Sequence, residues 1–181
     1  MYFKKYTSHI INLISSFDDH ELIQAANLID LSINSGGKII ISGNGGSAAM
    51  ASHVSVDFLK AAGLRCMNFN EADLITCFAN DYGYENWTKA ALESYLDNND
   101  TVILISSSGT SSNIINAAQF CVARRVNLIT LSGFDKDNPL SGLGHVNVWC
   151  DSKIYNYVEM AHHIWLVALV DYFANSKEVV T

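Results

Sequence analysis

Lys38-Ile39-Ile40-Ile41-Ser42-Gly43-Asn44-Gly45-Gly46-Ser47, residues 38–47, decides the fold. Three consecutive isoleucines form a short, β-branched apolar run of the kind that fills a strand buried on both faces. The glycine-rich turn follows at once, and an amphipathic stretch from Ala48 to about Lys60 then reads as a helix. The same strand–loop–helix pattern recurs. Thr101–Ile105 runs into Ser106-Ser107-Ser108-Gly109-Thr110-Ser111-Ser112 and a helix from about Asn113 to Arg125. Val126–Leu131 ends in Ser132-Gly133, and His145–Cys150 precedes a long helix from about Tyr155 to Ala174. Arg65–Phe69 adds a further strand and Tyr84–Tyr95 a further helix. Strands alternating with helices of this length predict an α/β fold, a three-layer doubly wound parallel sheet with helices on both faces.

Two amphipathic helices, at about 2–17 and 19–35, precede this alternation. Tyr6, Ile10, Leu13 and Ile14 share one face of the first, and Leu22, Ala26, Ile29 and Ile33 one face of the second. Asp18 or Asp19 is placed to cap the second helix, and Asn34-Ser35-Gly36-Gly37 to stop it. The single proline, Pro139, and the lack of a low-complexity linker predict one domain over 1–181. Within it, residues 1–35 are expected to serve oligomer packing and residues 36–181 to form the binding core.

Composition narrows the function. The chain carries 18 acidic and 11 basic residues, for a net charge of −7. It lacks the basic cluster that a nucleic-acid backbone requires, so no nucleic-acid partner is expected. No apolar run reaches the roughly 20 residues of a membrane span, so no membrane partner is expected. Cys66, Cys77, Cys121 and Cys150 show no CxxC pairing and read as core thiols of a reduced, cytoplasmic protein. Only 16% of residues are charged, against about 25% in ordinary soluble domains. A buried sheet together with subunit interfaces explains the deficit.

The two unusual loops lie where a doubly wound fold binds ligands, beyond the carboxyl ends of strands. The glycines of Gly43-Asn44-Gly45-Gly46-Ser47 let the backbone approach a ligand closely, and Ser47 adds a hydroxyl at a helix start. Ser106, Ser107, Ser108, Thr110 and Ser111 set up to five hydroxyls beside free helix N–H donors. That is a phosphate site without lysine. The GxGG spacing is not the dinucleotide GxGxxG, so no nucleotide cofactor is expected.

These two loops, with Leu74-Ile75-Thr76-Cys77-Phe78-Ala79-Asn80-Asp81-Tyr82-Gly83-Tyr84, resemble the sugar isomerase (SIS) domain family, closest to its phosphoheptose isomerase branch. The resemblance implies a flavodoxin-like fold. It also implies aldose–ketose isomerisation of a heptose phosphate, the sedoheptulose 7-phosphate type, for surface-polysaccharide precursors. The phosphate loop then corresponds to Ser106, Ser107, Ser108 and Ser111, and the sugar contacts to Asn44, Gly45, Gly46, Asn80 and Asp81. The family's paired His and Glu on the helix after the glycine loop fall on His53 and Asp57. Its C-terminal Gln falls on Glu159, with His162 on a nearby family histidine. The resemblance thus implies Asp57, Glu159 and His53 as catalytic groups, and zinc on His53, Asp57, Glu159 and His162. It further implies a homotetramer with sites between subunits. One position departs: the family's catalytic histidine falls on Val167, which can neither move a proton nor bind a metal. The alternative reading is therefore a non-catalytic SIS module that senses a phosphosugar or recruits a protein. His162 and His163 are adjacent and point to different sides of their helix, so at most one faces a given pocket.

Overall fold

The computed structural model describes residues 1–178, so 179–181, the end of the expected core, lie outside the described residues. Five parallel strands form one sheet in the order β2-β1-β3-β4-β5. They are β1 (Ile39–Gly43), β2 (Cys66–Met67), β3 (Thr101–Ser106), β4 (Asn127–Ser132) and β5 (Val146–Trp149). Around them lie α1 (Tyr2–Ser15), α2 (His20–Asn34), α3 (Gly46–Lys60), α4 (Ala72–Tyr82), α5 (Trp87–Tyr95), α6 (Ser112–Arg124) and α7 (Tyr155–Glu178). This order winds outward from β1 in both directions, so the topological switch lies between β1 and β3. Gly43 pairs with Ile105 at that point, which brings the glycine loop and the serine loop side by side.

Side-chain alternation divides the core into two layers. Ile39, Ile41, Ile103 and Ile105 face Ile29 of α2, Val54 and Phe58 of α3, and Val158 and Leu166 of α7. Ile40, Val102 and Leu104 face Trp87 and Leu92 of α5 and Ile114 and Ala117 of α6. All residues of β1 and β3 are buried, as their uninterrupted apolar runs require.

The two leading helices differ from one another. α2 belongs to the core of its own chain: Ala25 and Ile29 are fully buried against the sheet. It ends in a Schellman motif, with Gly36 at φ +79, Gly36 N–H donating to Ile33 O and Gly37 N–H to Ser32 O. The Asp18 carboxylate accepts the His20 N–H at 3.1 Å, whereas Asp19, at the cap position, makes no side-chain bond. α1 buries no residue and touches α7 through the Tyr6–Tyr157 ring contact, while Phe17, just past its end, stacks on Trp165. Alternation with the strands was therefore a poor guide to α2, whose apolar stripe finds the sheet from outside the βα repeat.

Other boundaries shift for local reasons. The strand expected at 65–69 pairs over only two residues at the sheet edge. The helix expected at 84–95 is split from α4 by Gly83 at φ +83, and α5 begins at Trp87. Burial pushes the Cys66 and Cys121 thiols up to about 12 and Cys150 to about 11, which keeps them protonated. Cys77 is a correction to the core-thiol reading, because it lies exposed on α4. Among the described residues no helix is long and apolar enough to cross a membrane.

At the opposite end of the sheet from the loops, buried Asp100 accepts the N–H of Lys38 at 2.9 Å, the N–H of Asp97 at 2.8 Å and the Lys38 ammonium at 2.6 Å. Asp100→Ala strands the Lys38 and Asp97 N–H groups and takes one of two carboxylates from the Lys38 ammonium, which keeps exposed Asp97 at 2.7 Å. The expected loss is about 3 kcal/mol of stability, read as a lowered urea midpoint with unchanged slope.

Candidate functional site

The serine loop leaves β3 and enters α6 in a shape that leaves hydroxyls facing one space. Ser106 Oγ donates to Ser111 Oγ at 3.0 Å, and Ser108 Oγ lies 2.8 Å from Thr110 Oγ1. The Ser107 hydroxyl is buried and has no partner among the described residues. A buried hydroxyl left unpaired carries a desolvation cost that a bound oxyanion would remove. The loop is held from behind by the segment after β4. Gly133 N–H donates to Ser107 O at 3.0 Å, and Leu140 N–H donates to Gly109 O at 3.1 Å. Asn138 donates to Ser132 Oγ, Gly133 O and Asp135 O, and its Oδ1 accepts Ser141 N–H.

Facing this loop, Gly45 takes φ +53, ψ −119, a conformation open to glycine. Gly46 begins α3 with no room for a side chain: a Cβ there would lie 2.5 Å from Glu159 Oε2. The Glu159 carboxylate, carried by α7, therefore rests on the N-terminal turn of α3, where helix N–H groups favour negative charge. Asn44, Ser47, Ser106, Ser107, Ser108, Ser111, Tyr155 and Glu159 enclose a cavity of about 100 Å³.

Three further residues shape the site, none of them given a role from the sequence. Asn113 exchanges amide hydrogen bonds with Asn44 at 2.8 and 3.0 Å and donates to Thr88 Oγ1, so it fixes which way the Asn44 amide points. Tyr84 OH donates to Asn44 Oδ1 at 3.3 Å. Tyr155 lines the cavity one helical turn before Glu159, and that i, i+4 spacing was a usable signal. Asn80 and Asp81, expected as sugar contacts, do not line the cavity. They sit exposed on the last turn of α4, bonded to each other at 2.9 Å.

The histidines correct the expected catalytic and zinc-binding set. His53 Nε2 lies 3.1 Å from Asp57 Oδ2, and His53 Nδ1 lies 2.9 Å from His163 Nε2. His163, not His162, meets α3. His162 is fully buried and turned the other way, with Nε2 at 3.0 Å from the Ser132 carbonyl oxygen. Nor does Asp57 line the cavity; it is engaged by His53. Val167 shares a second, shallower space of about 440 Å³ with His53 and His163. Among the described residues no three His, Cys, Asp or Glu side chains converge on a common point. The expected zinc quartet does not fit this geometry, because one of its members points into the core at a backbone carbonyl.

Burial pushes the His162 imidazole down to about 4, against a smaller opposing effect of the Ser132 carbonyl. The unfolded chain, titrating near 6.5, thus takes up the proton first as pH falls. The resulting stabilisation is full above pH 6.5 and is lost between about 6.5 and 4, with a total of about 3 kcal/mol. Replacing His162 with Gln, which still offers a donor to Ser132, is expected to flatten that part of the stability–pH curve. Urea unfolding at pH 7 and pH 4.5 measures it; an unchanged slope between the two would refute the assignment.

Comparison with known proteins agrees with this geometry. The family model described as SIS domain matches residues 2–133. A phosphoheptose isomerase of Helicobacter pylori is 33% identical over 150 residues, 77% of this chain and 78% of that protein. Another, from Colwellia psychrerythraea, is 32% identical over 145 residues, 75% of this chain and 74% of that protein. The solved phosphoheptose isomerase of Neisseria gonorrhoeae superposes with a TM-score of 0.88 over 96% of this chain and 97% of its own, at 24% identity, which speaks for the fold. The loops at the switch point, the sheet order and these matches agree: the chain belongs to the SIS domain family.

Proposed function

We propose that this protein is an aldose–ketose isomerase of open-chain sugar phosphates, acting on a heptose 7-phosphate of the sedoheptulose type. The observation that carries the reading is the Glu159 carboxylate set against α3, in the same cavity as a serine loop with an unpartnered buried hydroxyl. The phosphate rests on Ser106, Ser107, Ser108 and Ser111 and on the N–H groups that open α6. Asn44, with its amide oriented by Asn113 and Tyr84, holds a sugar hydroxyl. Glu159 removes the proton from the carbon next to the carbonyl, and a second group moves a proton between the two oxygens. Phosphoheptose isomerase relatives at about one-third identity support the substrate class.

Exposed apolar side chains on α1 (Phe3, Ile11) and α3 (Val56, Leu59) support assembly as a homo-oligomer, for which we take the tetramer with sites between subunits. A cytoplasmic role in supplying surface-polysaccharide precursors follows from the same reading.

The test is incubation of the purified protein with sedoheptulose 7-phosphate, with and without zinc, followed by NMR of the sugar. Conversion supports the proposal. Binding without conversion would favour the sensing module, the reading that Val167 supports. Ser111→Ala removes one donor to the phosphate and frees Ser106. Affinity for the sugar phosphate is expected to fall about tenfold or more, as loss of a hydrogen bond to a charged group does. Unchanged affinity by calorimetric titration would place the phosphate elsewhere.

A further inference from the structure

Position 167 cannot carry protons, yet the helix face that bears it holds another imidazole one turn earlier. We propose that His163 is the group that moves the proton between the substrate oxygens, held for that task by the chain Asp57–His53–His163. This rests on the isomerase reading above and adds the residue that reading leaves unnamed.

Hydrogen-bond logic orients the chain. A carboxylate only accepts, so the His53 nitrogen facing Asp57, Nε2, carries the hydrogen. In a neutral ring the other nitrogen, Nδ1, is then an acceptor, and the hydrogen in the 2.9 Å contact belongs to His163 Nε2. His163 Nδ1 is left bare, a base free to take a proton. Asp57 and His53 are positioning residues in this arrangement, and only His163 meets the substrate.

Placement agrees. Glu159, His163 and Val167 succeed one another at i, i+4 and i+8 on α7, so His163 stands about 6 Å along the helix from the carboxylate in the phosphate cavity. An open-chain seven-carbon sugar, anchored by its phosphate, runs along this line. The groups facing His163 are His53 and Asp57 from α3, and Asp171 of α7 lines the same space; among the described residues no Lys or Arg lines it.

The step balances without any co-reactant. Glu159 takes the carbon-bound proton, and the electron pair moves to the carbonyl oxygen to give the enediolate. His163 Nδ1 takes the proton of the neighbouring hydroxyl and delivers it to the new oxyanion. While the ring is charged, its Nε2–H bond to His53, itself bonded to Asp57, spreads that charge. Glu159 then returns its proton to the other carbon.

Nitrogen-15 NMR of the histidine rings in the intact, substrate-free protein tests the chain itself. The expected result is Nε2–H tautomers for both His53 and His163; an Nδ1–H tautomer at His163 would overturn it. In the isomerase assay, His163→Gln is expected to lower kcat at least about a hundredfold with KM within about threefold. Asp57→Asn is expected to shift the kcat–pH profile while His163 remains present. Should His163→Gln fold poorly, His163→Ala read with added imidazole serves the same purpose, with partial rescue expected. A kcat within threefold of the unaltered protein in either variant overturns the proposal, as does stoichiometric zinc in active protein that chelation inactivates. No turnover by the unaltered protein sinks the isomerase reading and the His163 role together, whereas the tautomers report on the hydrogen-bonded chain independently.

Discussion

Glu159→Gln is expected to reduce turnover of the sugar phosphate by about a thousandfold while leaving the protein folded. Glutamine keeps the shape that packs over Gly46, where a Cβ would come within 2.5 Å of the carboxylate, and removes only the basic oxygen. General base catalysis contributes about 10²- to 10⁴-fold, and among the described residues no other carboxylate lines the cavity to replace it. The loss should fall on kcat, with affinity for the phosphate little changed, since Ser106–Ser111 remain intact. Solvent deuterium uptake at the carbon next to the carbonyl gives the sharper readout. It should vanish with turnover; if the exchange persists in the variant, another group removes that proton. The companion change, Gly46→Ala, should mimic it by displacing the Glu159 carboxylate, the flexible end of a side chain, without large loss of stability.

Gly109→Ala is expected to cost about 4 kcal/mol of stability and to abolish measurable phosphosugar binding. Gly109 has φ +67, a conformation that costs an L residue about 1–2 kcal/mol. An added methyl would also overlap the side chain of Asn138, which is only 5% exposed. Asn138 cannot move aside without giving up bonds to Ser132 Oγ, Gly133 O, Asp135 O and Ser141 N–H, and buried groups left unpaired cost about 1–3 kcal/mol. The same shift loosens the serine loop, because the segment Asn138 organises also bonds Ser107 O and Gly109 O. Gly142→Ala is the control. Nothing lies within 4 Å of its would-be Cβ and its φ is not positive, so stability should change little. Urea unfolding and calorimetric titration with the sugar phosphate read both effects; a Gly109→Ala protein as stable as the control would show that the loop relaxes freely.

Two features of the chain were beyond reading by pattern. α2 lies outside the strand–helix alternation, and an amphipathic stripe does not say which surface will cover it; Ala25 and Ile29 show that its own sheet does. Asn113 is an unremarkable residue of a helix, and its role in orienting the Asn44 amide depends on two loops meeting across the switch point. Asn80 and Asp81 show the reverse. A motif singled them out, and the chain by itself leaves them on the outer end of α4, bonded to each other rather than to the cavity.

What the sequence by itself determined was the architecture and the place of the glycine and serine loops. Apolar runs of β-branched residues, helix stops and glycine- or serine-rich turns are local signals, because backbone propensity and burial period act over a few residues. They placed β1, β3 and β4 and the glycine and serine loops to within a residue or two. Only the tertiary structure decided which side chains share a site. His162 and His163 are neighbours in the chain, yet the rotation of about 100° per residue on α7 sends one to the Ser132 carbonyl in the core and the other to His53 on α3. That choice depends on how α7 is rolled against the sheet, a property of the packed core and of no local stretch of sequence.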